Sequence, residues 1–185
     1  MITQPYESAI TAARAVLTNV TPDQLGASTP CQSWKVSDLI NHLVGSQSFF
    51  GNALTDQPPT AGPDFASGDY VGAFDSATAT TLAAFQADGA MGKMCALPFG
   101  TLPGAALLGL ASTDTFTHAW DLAKATGQST DLDPTLAAEL LEGAKQNIPA
   151  AFRGEDGKSP FGAEQAAPEG ASAADQLAAF LGRSV

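Results

Sequence analysis

At 185 residues the chain has room for one domain with a real hydrophobic core but not comfortably for two. Eight Lys and Arg against 19 Asp and Glu give a formal net charge of -11, which repels a nucleic-acid phosphate backbone and disfavours an anionic membrane surface. Hydrophobic residues make up 44% of the chain, yet no run approaches the roughly 18 apolar residues that span a bilayer, so neither nucleic acid nor membrane is expected as a partner.

The start, MITQPYESAITAARAV, lacks the basic segment and continuous apolar stretch of an export signal, which makes a cytoplasmic location the expectation. Cys31 and Cys95 lie too far apart for a C-x-x-C motif and are expected as reduced, packing cysteines.

In chain order, YESAITAARAVLTN (6–19) places Ile10, Ala13, Val16 and Leu17 on one face of a first helix. TPDQL breaks it. Residues 36–54 form a second, longer helix with Leu39, Ile40, Leu43, Val44, Phe50 and Leu54 on its apolar side, and Asp38 complements the positive helix start. The Pro-, Gly- and Asp-rich stretch 55–69 is a long loop. A third helix fits 70–87 through Val71, Phe74, Leu82 and Phe85. A short hairpin is expected near 93–102. A fourth helix starts with Pro103 at its first position, carries Leu107, Leu108, Ala111, Phe116, Trp120 and Leu122, and stops at Gly127. Residues 133–150 read as a fifth helix, 153–172 as a polar surface connection, and SAADQLAAFLGR as a short terminal helix opened by Ser172. The expectation is one all-α domain over 1–185 whose main helices pack as a bundle.

Both histidines, His42 and His118, fall inside helices, and each follows an aspartate by four residues: Asp38 and Asp114. Side chains at i and i+4 share a helix face, so their tips can converge on one ion. Asp38 is explained by its place in a first turn. Asp114 lies mid-helix on the stripe of Leu107, Ala111 and Leu122, and a carboxylate facing a core must be paired, protonated or bound to a cation. His42, Asp114 and His118 therefore form a candidate two-histidine, one-carboxylate metal site with open positions for water or substrate, zinc being the first expectation. The alternative is that Asp114 and His118 merely satisfy each other on a helix surface and that His42 is a core histidine. Spacing leaves both open. No G-x-S-x-G, G-x-x-x-x-G-K-[ST] or G-x-G-x-x-G motif is present, which removes support for a nucleophile elbow or a phosphate-cradling loop.

TPCQSWKVSDLINHLVG (29–45) and DTFTHAWDLAKATGQ (114–128), in this order and with this helical layout, resemble the metal-binding domain of mycothiol-dependent maleylpyruvate isomerase and its DinB-like relatives. The likeness extends to LPFGTLPGAALL and DQLAAFLGR. It implies a DinB-like four-helix bundle in up-down-down-up order, extended by one or two short C-terminal helices, with a divalent metal at one end. It also implies that a second-helix histidine, matched by His42, joins a later pair matched by Asp114 and His118. Many relatives carry histidine at the position of Asp114 and the isomerase glutamate, so the shorter aspartate implies weaker affinity. The isomerase has a further C-terminal domain for substrate, and none of Arg14, Arg153 or Arg183 maps to a substrate arginine. Isomerisation of maleylpyruvate itself is not expected.

Trp34 and Trp120 are expected to pack the bundle, with lining the pocket as the alternative; Asp121 to orient a ligand histidine or to bond a helix or loop N–H; and Cys31 to pack, with approach to the metal as the alternative. Two functions follow from the resemblance. The first is an enzyme, a metal-dependent transferase or isomerase that activates a small thiol such as mycothiol against an electrophilic substrate, with zinc, nickel or iron(II) as the ion. The second is a metal-binding or ligand-sensing module without turnover. A homodimer stays open.

Overall fold

The computed structural model describes residues 2–155, 159 and 161–185. The described chain is mostly helical, with one antiparallel two-stranded hairpin. Four long helices come first: α1 (Gln4–Thr18), α2 (Val36–Leu54), α3 (Tyr70–Gln86) and, after β1 (Met94–Leu97) and β2 (Gly100–Pro103), α4 (Gly104–Ala125). Two further helices follow, α5 (Pro134–Asn147) and α6 (Ala173–Phe180). Single 3-10 turns lie at Pro22–Gln24, Phe65–Ser67, Ala90–Gly92 and Ala150–Phe152.

Local chemistry sets where the helices begin. The carboxylate of Asp69 accepts the N–H of Gly72 at 2.9 Å, that of Asp133 accepts Leu136 N–H at 3.1 Å, and the Ser172 hydroxyl accepts Asp175 N–H at 3.1 Å. Asp38 turns back onto the backbone N–H of Lys35 at 2.8 Å, which closes the first turn of α2.

The ends differ from expectation in three places. Pro103 is not the first residue of α4. It ends β2 opposite Met94 in extended backbone, and Gly104 starts the helix with its N–H on Lys93 O at 2.8 Å. A Cβ at Gly104 would overlap the Ala90 carbonyl, so glycine is what lets α4 start against the hairpin. α5 stops at Asn147 because Ile148 precedes Pro149 and leaves helical backbone. α6 stops at Phe180, after which Gly182 turns the chain away with φ +96°.

Two apolar clusters give the helix directions. At one end Val16 and Leu17 of α1, Leu39, Ile40 and Leu43 of α2, Phe74 of α3, and Ala119 and Leu122 of α4 pack together. At the other, Tyr6, Phe50, Leu54, Phe85, Leu107 and Leu108 do so. Residue numbers rise toward the first end in α1 and α4 and away from it in α2 and α3. Because α2 and α3 run the same way, the connection between them must travel back along a helix, which is why 55–69 is long. Asn41 pins that return: its Nδ2 donates to Asp64 Oδ1 at 2.9 Å and its Oδ1 accepts Ala66 N–H at 3.0 Å. α5 and α6 pack on Phe116 and Trp120 of α4.

One buried glutamine fixes the register of the four long helices. Tyr6 O–H of α1 donates to Gln47 Oε1; Gln47 Nε2 donates to Thr115 Oγ1 of α4 at 3.1 Å; Thr81 Oγ1 of α3 donates to Gln47 O at 2.7 Å. Sliding any helix would strand a buried polar group, at a cost of about 1–3 kcal/mol each. Thr115 follows Asp114 directly, so the same amide sets the height at which α2 and α4 present their acidic and imidazole side chains.

Candidate metal centre

His42 of α2 and Asp114 and His118 of α4 meet where those two helices cross. His42 Nε2 lies 3.3 Å from Asp114 Oδ1, and His118 Nε2 lies 3.6 Å from the same oxygen. The imidazole centroids are 4.5 Å apart and nearly perpendicular, at 75°. The donor atoms of all three residues fall within 4.8 Å of one another.

The set suits a cation. Zinc bonds of about 2.0–2.2 Å at a tetrahedral angle separate donor atoms by about 3.3–3.6 Å, which is the spacing of Asp114 Oδ1 from both imidazoles. Burial favours the neutral form of Asp114, but the hydrogen bond to His42 and the neighbouring His118 outweigh it and hold its pKa below the usual carboxylate range. Burial likewise works against a charged His42, and Asp114 more than compensates, so His42 is raised. The Ser46 hydroxyl, which donates to Leu43 O at 3.3 Å, would lower Asp114 further by turning its proton to the carboxylate instead. Asp114 Oδ2 is buried without a hydrogen-bond partner. A buried carboxylate oxygen lacking a donor is what a bound cation would satisfy.

The other face of His118 is fully engaged. Its Nδ1 lies 2.9 Å from Oδ2 of Asp121, which is completely buried. Arg183, arriving from the C-terminal tail, grips that carboxylate with two bonds, Nε to Oδ1 at 3.1 Å and Nη2 to Oδ2 at 3.0 Å. Burial raises the Asp121 pKa, yet Arg183 and His118 pull it far below the usual range, so the carboxylate is ionised and only accepts. An acceptor-only carboxylate at that distance takes the N–H of His118 Nδ1, while His118 Nε2 is turned toward Asp114.

Two elements beyond the long helices complete the site. In the turn before α2, Trp34 N–H bonds Cys31 O at 2.8 Å, and Thr29 Oγ1 donates to Cys31 O and Trp34 O. That turn sets the Trp34 ring 4.7 Å from His42 and 5.6 Å from His118, centroid to centroid. It also sets Cys31 Sγ 3.4 Å from Asp121 Oδ2. Gly182 delivers Arg183.

Trp120 is a buried packing residue, as expected, with its indole N–H on Asp175 Oδ1 at 2.8 Å. Asp121 orients His118. Trp34 and Cys31, for which packing was the first expectation and a place at the pocket the second, border the site, and Arg183 was assigned no role there. For Cys31 and Trp34 the signal was proximity to His42 in TPCQSWKVSDLINH; for Arg183 the sequence holds none, because only the fold brings the tail back. Cys95 is buried in the hairpin-side cluster, where burial raises its thiol pKa. Neither cysteine is in a disulfide.

The family model for the mycothiol maleylpyruvate isomerase N-terminal domain matches residues 6–123, a span that holds His42, Asp114 and His118. The chain belongs to this family. Within it, the match takes in Cys31, Trp34 and Asp121 and leaves Arg183 outside. Two relatives from Mycobacterium tuberculosis are similar over nearly their full length: the uncharacterized protein Rv0738 of strain H37Rv and the uncharacterized protein MT0763 of strain CDC 1551. Each is 47% identical over 181 residues, covering 97% of this chain and 96% of the relative. No solved structure matches the chain. As in the reading of its sequence, no helix of the described residues is long and apolar enough to cross a membrane.

Proposed function

We propose that this member of the mycothiol maleylpyruvate isomerase N-terminal domain family binds one divalent ion through His42 Nε2, the Asp114 carboxylate and His118 Nε2, and that it works on a small thiol. The observation that carries the reading is the convergence of these three groups around a buried, partnerless Asp114 Oδ2. When bound, the ion would stabilise the thiolate of a coordinated thiol whose ordinary pKa is about 8.5, and the thiolate is the form that attacks an electrophile.

The chain's own residues supply the rest. Three protein donors leave a position for an exchangeable ligand, the pattern of catalytic rather than structural sites. Asp121 holds His118 in the tautomer that offers Nε2 outward. Trp34 covers both imidazoles with an apolar ring and limits water there. The reaction class is S-transfer or thiol-assisted isomerisation, with a mycothiol-like thiol as cosubstrate and an electrophilic small molecule as its target. Zinc suits two imidazoles and a carboxylate best, with nickel and iron(II) as the other candidates. The same reading makes residues 1–185 one cytoplasmic domain, a DinB-like up-down-down-up four-helix bundle formed by α1 to α4.

The test is metal quantification of purified protein followed by cobalt(II) titration. One equivalent bound, with a visible spectrum that shifts on adding a low-molecular-weight thiol and turnover of a test electrophile, is the expected result. No ion bound and none taken up overturns the reading. An ion that ignores thiols leaves a metal-binding module without turnover.

A further inference from the structure

A second group of donors meets at the same place. Cys31 Sγ, His118 and an Asp121 oxygen also lie within 4.8 Å of one another, on the Nδ1 side of the imidazole whose Nε2 faces Asp114. A sulfur, an imidazole and a carboxylate are good ligands for zinc or cobalt, so the sequence carries two overlapping sets that compete for His118. The second set already holds a cation. Arg183 Nη2 is 3.0 Å from Asp121 Oδ2 and 3.8 Å from Cys31 Sγ, and Arg183 Nε is 3.1 Å from Asp121 Oδ1. The Arg183 side chain is only 12% exposed and Asp121 is fully buried, so this guanidinium is fixed where a metal would otherwise sit.

We propose that Arg183 is a positioning residue for the metal centre: its guanidinium fills the cation place between Cys31 and Asp121, holds the Asp121 carboxylate against His118 Nδ1, and confines a divalent ion to His42, Asp114 and His118. Two arguments support this. A divalent ion at Cys31 and Asp121 would face a permanent positive charge in a poorly solvated site, and arginine cannot relieve that by losing its proton. Both oxygens of Asp121 are also taken: Oδ1 by Arg183 Nε, and Oδ2 by Arg183 Nη2, His118 Nδ1 and Cys31 Sγ. The inference rests on the metal reading above, and adds that a residue outside the family match selects which of two sites is used.

Cobalt(II) titration of the full chain, read by optical spectrum, tests it. The wild type takes one equivalent without a near-ultraviolet thiolate-to-cobalt band. Arg183→Gln weakens the first site by about ten-fold or more, as loss of an outer hydrogen-bond partner does. It also gains a thiolate band that disappears when Cys31→Ser is added. Arg183→Lys, which keeps a cation but not the fork, shows no band. Circular dichroism checks that each variant is folded. Should Arg183→Gln fail to fold, Cys31→Ser alone decides: its cobalt affinity stays within about two-fold of wild type if Cys31 is kept from the metal, and a drop of ten-fold or more overturns the proposal. A thiolate band in the wild type, or an Arg183→Gln protein identical to wild type, also overturns it while leaving the metal centre standing. Absence of cobalt from both wild type and Arg183→Gln removes the metal reading and this inference together.

Discussion

Asp114 reaches from α4 to α2, where its Oδ1 lies 3.3 Å from Nε2 of His42. The contact joins two helices that run in opposite directions, and it is the point at which a helix-surface pair becomes a three-residue site. An Asp114 that served only His118 would have no reason to approach His42 as well.

This relationship separates Asp114 from Asp38, the other aspartate that precedes a histidine by four residues. Asp38 closes the first turn of α2 through Lys35 N–H. Asp38→Ala is expected to cost about 1 kcal/mol of stability, as a lost helix-start bond does, with metal affinity unchanged. Asp114→Ala is expected to lower affinity by at least two orders of magnitude, while Asp114→Glu and Asp114→His, which restore a donor, keep binding. Competition titrations against a chromogenic chelator measure all four. Equal losses for Asp38→Ala and Asp114→Ala would assign the wrong carboxylate.

The helices and the Asp114–His118 pair were legible because both depend on local order in the chain, apolar spacing for the helices and i,i+4 spacing for the pair, whereas spacing left His42 open and only the family resemblance joined it to them. The hairpin was legible in outline from its proline and glycine punctuation. What could not be read was everything set by tertiary return. Arg183 reaches Asp121 only because α5 and α6 fold back over Phe116 and Trp120. Trp34 faces the imidazoles because the Cys31–Trp34 turn closes on itself, a hydrogen-bonded detail without periodicity. Pro103 was placed one residue too far into α4 because the pairing of β2 with β1 outranks the local preference of proline for a helix start.

Trp34 gives the centre an intrinsic reporter. Its ring lies 4.7 Å from His42, whereas Trp120 is buried with its indole bonded to Asp175. Binding of paramagnetic cobalt or nickel is expected to quench mainly Trp34 emission. Trp34→Phe should therefore remove more than half of the metal-dependent quenching, and Trp120→Phe much less. Quenching that survives Trp34→Phe in full would place the ion elsewhere.

The Trp120–Asp175 bond makes a prediction about acid stability that does not involve the centre. Burial raises the Asp175 pKa, but hydrogen bonds from Trp120, Thr130 and Ser172 and the charge of Lys124 outweigh it and hold it below the usual range. A carboxyl whose pKa is lower folded than unfolded contributes stability above its unfolded value, about 3.9. That contribution fades as pH falls through the lowered folded value. Asp175→Ala is expected to cost about 1 kcal/mol at pH 7. Denaturant unfolding at pH 7 and again near pH 3 should show the gap between variant and wild type narrowing in acid. A constant gap would mean that the carboxylate's charge plays no part.

Gly182 links the tail to the centre. Its φ is +96°, and a Cβ built there would lie 2.5 Å from the Gly162 Cα, so alanine is opposed by backbone conformation and by contact at once. Gly182→Ala is expected to cost about 2–3 kcal/mol. Because the next residue is Arg183, it should also weaken metal binding in the manner of Arg183→Gln. Gly170 provides the control, since its φ is +76° with nothing within 4 Å of an added Cβ. Gly170→Ala should cost about 1 kcal/mol from conformation alone and leave affinity untouched. Thermal melts and cobalt titrations on the two variants separate the effects. If both lose stability but neither loses affinity, the tail's backbone does not govern where the Arg183 side chain sits.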